Sequence, residues 1–130
     1  MSNDPAGRVL VVDAANVVGS RPDGWWADRA GAAGRLVAGL VHNQLGFDRL
    51  VIVLEGRARA GAAVRTGSGV DVIHAPASGD DEIVRQCERW LASGEQVWLA
   101  SADRGLLDRV TFQGVTPLGP RQVRDTAMGT

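Results

Sequence analysis

The 130 residues contain no lysine: all fourteen basic side chains are arginines. Every mechanism that needs a catalytic lysine is thereby excluded, and with it the P-loop, whose GxxxxGK signature is absent. The single cysteine, Cys87, cannot form an internal disulfide or a cysteine metal cluster. It is expected as a small core hydrophobe in a reducing compartment. The two histidines, His42 and His74, stand too far from each other and from other soft ligands to suggest a zinc site. No run approaches the roughly 18 apolar residues of a membrane span, and residues 1–7 lack the charged start and apolar centre of a secretory signal. A cytoplasmic setting is expected. The formal net charge is only -1, so any polyanionic partner must be held by a local patch.

What is present suits one compact domain covering residues 1–130, with short flexible ends at about 1–7 and 124–130. Hydrophobic residues make up 45% of the chain and fall in short separated runs. Strands are expected at 9–12, 50–54, 70–74 and 97–100, each short and rich in valine, isoleucine or leucine, with a fifth at 115–118. Helices are expected at about 26–45, 80–91 and 104–112 from apolar spacings of three and four. In the first, Leu36, Val37, Leu40 and Val41 share a face and Gly46 supplies the stop; in the second, Ile83, Val84, Cys87, Trp90 and Leu91 do, with Gly94 at the end. This alternation predicts an α/β three-layer sandwich around a mostly parallel sheet of four to five strands. Residues 56–69 read as a basic loop with one short helix at 58–64, and 121–130 shows no periodicity. Trp90 and Trp98 are expected in the core.

In such a sheet, ligands bind beyond the carboxyl ends of the strands. Each of the four main strand exits carries acid: Asp13, then Glu55, then the run Asp80, Asp81 and Glu82, then Asp103. Each also has a structural reading. Ser78 with Asp81 fits a capping box, and Asp103 fits a helix N-cap, worth about 1 kcal/mol. Gathered together, the acids would repel by about 4 kcal/mol per pair at 4 Å and an effective dielectric near 20. A divalent cation removes that cost, and an all-oxygen donor set favours magnesium or manganese over zinc. Receiver domains and haloacid-dehalogenase-like phosphatases also place an aspartate after strand one, but both need a lysine. No GxGxxG follows the first strand either.

Four motifs in this order resemble a known family: VVDAANVVG at 11–19, VIVLEG at 51–56, SGDDEI at 78–83 and SADRGL at 101–106. The chain is similar to the NYN and YacP-like branch of the PIN-like nuclease superfamily, from Arg8 to about Val123. The resemblance implies a metal-dependent ribonuclease with Mg2+ or Mn2+ held by Asp13, Asp80, Asp81 and Asp103, and products bearing a 5'-phosphate. It implies that Asn16 fixes the turn or touches substrate, and that Ser101 supports Asp103 by hydrogen bonding. Two positions depart from the family. Ala15 stands where an aromatic is common, and residues 35–45 carry no acid where toxin-type members have a glutamate. Glu55 or Asp28 could substitute, or the site holds fewer ligands.

A strand of RNA would need positive charge beside those acids. Arg57, Arg59 and Arg65 follow strand two, Arg104 follows Asp103, and Arg121 and Arg124 follow the last strand; guanidinium groups suit phosphate. Each also reads as an ordinary solvated arginine. Trp25 and Trp26 follow the first strand exit, where indoles can stack on unpaired bases or pack at a helix start. The alternative to catalysis is a PIN-like module that binds RNA or protein without cutting, and a homodimer or a protein partner is compatible with either reading.

Overall fold

The computed structural model describes residues 7–129. Strands β1 (Arg8–Asp13), β2 (Arg49–Leu54), β3 (Val70–His74), β4 (Gln96–Ala100) and β5 (Thr116–Leu118) form one sheet in the order β3-β2-β1-β4-β5. Every neighbouring pair is parallel. Helices α1 (Ala14–Val18), α2 (Arg29–His42), α3 (Gly79–Ala92), α4 (Arg104–Asp108) and α5 (Pro120–Met128) cover it. The expected sandwich forms, with five strands and wholly parallel pairing. Among the described residues no helix is long and apolar enough to cross a membrane.

The near-continuous apolar run of β1 follows from its central place. Leu10 and Val12 enter a core with Leu36 and Leu40 of α2, whereas Val9 and Val11 enter a second core with Ile83 and Cys87 of α3. Period-two alternation thus feeds two buried faces, and each such side chain contributes about 1.5–3 kcal/mol. Cys87 is fully buried, and burial pushes its thiol up to about 12, so it packs as a hydrophobe.

Several local expectations are corrected. The first long helix does not start at Trp26: a 3-10 turn spans Trp25–Ala27, and Asp28 then starts α2 by accepting the Gly31 N–H at 2.9 Å. The helix ends at Asn43, Val41 is exposed, and Ala32 and Ala33 extend the buried face instead. Gly46 acts beyond the helix, where it and Leu45 take positive φ of 79° and 58° to turn into β2. After β2 the short helix is a 3-10 segment at Gly56–Gly61 rather than 58–64, and Arg65 then bridges Val72 antiparallel. Helix 104–112 splits into α4 and a 3-10 turn at Thr111–Gln113. Trp90 and Trp98 are only partly buried, because each sits at a core margin beneath cations: Arg49 and Arg89 over Trp90, and Arg8 over Trp98.

The largest correction is the tail. Residues 121–130 were expected without periodic structure, yet Pro120–Met128 is α5, with Val123 and Arg124 buried against the rest. Its apolar face is too short to be seen by spacing alone. Ion pairs complete the docking: Arg21 grips Asp125 through Nε at 3.1 Å and Nη2 at 2.5 Å, and Arg124 pairs with Asp23. The expected flexible start at 1–7, apart from Gly7, and Thr130 lie outside the described residues.

Helices α2 and α5 touch at Gly39, where an added Cβ would collide with the backbone carbonyl of Ala127. Alanine in place of a solvent-facing helical glycine would stabilise by about 1 kcal/mol. Here the collision should reverse the sign, so Gly39→Ala is expected to destabilise by about 1–3 kcal/mol in urea denaturation. A stabilised variant would mean that α5 is not packed on α2 as described.

Candidate functional site

The chain runs from β1 outward through β2 and β3, and α3 then carries it back across β1 to β4 on the other side. The carboxyl ends of β1 and β4 therefore bound the switch point of the sheet, where the connecting loops diverge and leave a crevice. Asp13 ends β1, Ser101 follows β4, and the pairing of Val12 with Ala100 brings them abreast. Ser101 Oγ donates to Asp13 Oδ2 at 2.9 Å and accepts the N–H of Asp103 at 3.1 Å. Asp13 Oδ1 accepts the N–H of Asn16 at 3.3 Å, and Asn16 Oδ1 accepts the N–H of Ala102 at 2.9 Å. One hydroxyl and one amide thus lock the β1 and β4 exits together.

Around this ring stand further acids. Asp103 accepts the N–H of Leu106 at 3.1 Å and caps α4. Asp80 is half-buried in the first turn of α3. The expected capping box is absent: Ser78 makes no side-chain cap bond, and Glu55 of the β2 exit accepts the N–H of Gly79 at 3.0 Å instead. An added Cβ at Gly79 would collide with that carboxylate, so the close approach requires glycine.

These acids feel one another. Asp13 is only 6% exposed, and its burial, reinforced by Asp80 and Glu55, raises its pKa to about 6 despite the hydrogen bonds from Ser101 and Asn16. Asp80 is raised by burial, then by Asp103, Glu55 and Asp81, with Arg109 opposing. Four strand exits therefore deliver carboxylates into a shared field with one arginine as partial offset. Raised carboxylates gathered at strand exits make this edge the candidate functional site.

Other candidates lie elsewhere. Asp81 is exposed and pairs with Arg109 at 3.0 Å, and Asp28 is engaged as the cap of α2. Arg59 braces its own loop, donating to the carbonyls of Gly56 and Ala75, and Arg65 bonds Ser68. Arg124 is buried with Asp23, and Arg121 donates to Ser20 O. Arg57 and Arg104 are exposed near the acids, Arg57 on the wall of a cavity of about 320 Å³ that also includes Glu55, Trp25 and Arg29. Trp25 is half-buried and Trp26 is 57% exposed. Sequence reasoning missed Arg29 and Arg109. The four-residue step from Trp25 to Arg29 was the available signal for the first; nothing local marks the second.

The donors are all oxygen, and their mutual repulsion suits a hard divalent cation. As the side chains stand, no group of three or more His, Cys, Asp or Glu among the described residues is arranged to hold a metal ion. The donor chemistry would suit such an ion, and Asp13, Asp80 and Asp103 are the residues that would have to hold it.

No family model and no curated protein matches the sequence. Solved structures do. Rae1 (YacP) from Bacillus subtilis superposes with a TM-score of 0.60 at 17% identity, over 91% of this chain and 72% of that one. A single-substitution variant of the same protein gives 0.62 at 17% identity, over 92% and 74%. The fold is PIN-like. At this identity the likeness speaks to architecture, in which the motif resemblance and the superposition agree.

Because folding raises the Asp13 pKa from 3.8 to about 6, the protonated form favours the native state. Its contribution is fully present below about pH 4 and is lost as pH rises through about 6. In metal-free buffer, the stability of Asp13→Asn relative to wild type should therefore improve by about 3 kcal/mol between pH 4 and pH 7.5. Denaturant melts across that range test it. A difference that does not change with pH would mean that Asp13 is not desolvated.

Proposed function

We propose that this chain is a metal-dependent ribonuclease that hydrolyses phosphodiester bonds of single-stranded or structured RNA. The observation that carries the reading is the field of carboxylates at the strand exits: burial raises the pKa of Asp13 and Asp80, and the charges of Asp80 and Glu55 add to it at Asp13, those of Asp103 and Glu55 at Asp80. Asp13, Asp80 and Asp103 would hold Mg2+ or Mn2+, with Glu55 as the further acid; Asp81 joins only by leaving Arg109. When bound, such an ion neutralises charge on the reacting phosphate and acidifies an attacking water.

The chain's own groups do the rest. Ser101 and Asn16 tie the Asp13 carboxylate to the 101–103 loop that carries Asp103. Asp13 must shed its proton to serve as a ligand, and its burial opposes that until a cation stabilises the charge. Arg57 and Arg104 supply positive charge for the RNA backbone, and planar guanidinium groups grip phosphate in two places. A cytoplasmic setting belongs to the same reading, with the reduced thiol of Cys87 in keeping.

A second reading is a module that binds RNA or protein without cutting, alone or as a homodimer. The unassembled ligand shell favours it.

Manganese-dependent cleavage of a single-stranded RNA separates the two. Wild type should cut, chelation should stop it, and Asp13→Asn and Asp103→Asn should each lose about a hundredfold or more, the equivalent of ~3 kcal/mol in the barrier. Equal rates for all three proteins would remove the nuclease reading. Metal-independent RNA binding without cleavage would establish the module.

A further inference from the structure

We infer that the cavity beside the acids is a nucleotide subsite, which takes one base against Trp25 and its phosphate on Arg57 and Arg29. This rests on the ribonuclease reading and names where the substrate is gripped. The cavity holds about 320 Å³, within the roughly 300–1,000 Å³ of small-molecule sites. Its walls divide by chemistry. Trp25, Val18, Ala33 and Ala58 supply apolar lining, Arg29 and Arg57 supply positive charge, and Glu55 lines it as well. Glu55 also acts on the pKa of Asp13 and Asp80, so cavity and acidic cluster share a wall. A ligand with a planar apolar part and an anionic part matches these walls, and that is the chemistry of a nucleotide.

The aromatic wall is built to stay in place. The Trp25 backbone N–H donates to Asp23 Oδ1 at 3.2 Å, and its ring meets Trp26 edge to face at 5.9 Å between centroids. Asp23 is in turn paired with buried Arg124 of α5, and Arg21 with Asp125. The loop bearing the indole is thus tied to the last helix at two points. Arg29 lies over the indole at 5.5 Å, so a base takes that face by displacing the guanidinium, which is then free to meet the phosphate.

The same chemistry is offered by a free nucleotide and by a residue within an RNA strand, and the test has an arm for each. The full chain in chelator is titrated with UMP, with AMP and with a short single-stranded oligoribonucleotide, following the indole N–H signals by NMR. The Trp25 signal should move, Trp25→Ala should weaken binding about tenfold to a hundredfold, and Trp25→Phe should retain most of it. Arg57→Ala, an exposed position away from the core, should weaken the same ligands if the alanine variant of Trp25 fails to fold. Tighter binding of the oligonucleotide than of either mononucleotide assigns the subsite to a strand, and equal binding assigns it to free nucleotides. Binding that is indifferent to Trp25→Ala and Arg57→Ala overturns the subsite. The two readings fail separately: normal cleavage with an unchanged KM in Trp25→Ala sinks the subsite alone, whereas nucleotide binding at Trp25 without any metal-dependent cleavage sinks the nuclease alone.

Discussion

Placing an ionisable carboxylate at the buried end of the central strand costs free energy unless hydrogen bonds or a cation stabilise its charge. Asp13 receives the first in part, from the Ser101 hydroxyl and the Asn16 amide, and its pKa still rises to about 6. Much of the local structure answers to that one group. Ser101 must sit opposite it, which fixes how β4 leaves the sheet. Asn16 must turn back to hold Ala102, which fixes α1 directly after β1. The other acids add to the burden instead of relieving it, so the metal-free ring holds unspent electrostatic strain.

A second constraint acts from the far end of the chain. Helix α5 reaches back across α1 and α2 and secures the 20–23 loop with two arginine–aspartate pairs. In one of these the Arg124 guanidinium is buried while Asp23 stays partly in water, so losing the aspartate would leave a buried cation without its partner. The pair's effect is therefore to specify one position for the loop that carries Trp25. The final helix and the first strand exit, nearly the whole chain apart, meet in one piece of architecture.

The legibility of these features in the sequence follows their physical origin. Strands β1, β2 and β4 were readable because burial on both faces leaves long apolar runs, and the acids at their exits were readable because parallel topology puts exits together. The capping of α3 was not, since Ser78 offered a local solution and the bond actually comes from Glu55, 24 residues away. Helix α5 was hidden for a similar reason: its stability comes from Arg21, Asp23 and the cleft at Gly39, not from its own pattern. The placement of Asp81 on Arg109 depends on how α3 and α4 lie together, which no spacing within either helix encodes.

The choice between cutting and merely binding turns on what a buried acid is for. An RNA-binding surface needs exposed guanidinium and aromatic groups, and these stand at the cavity without help from Asp13 or Asp80. For binding alone an asparagine would serve at position 13, keeping an oxygen for Ser101 and removing the repulsion. A buried carboxylate whose charge weakens the fold is the form taken by sites that trade stability for chemistry. The cation that uses it would also supply the missing stabilisation, by binding the native state and not the unfolded chain. On the nuclease reading proposed above, the repulsion that such an ion would relieve is also what would hold the acids apart without it.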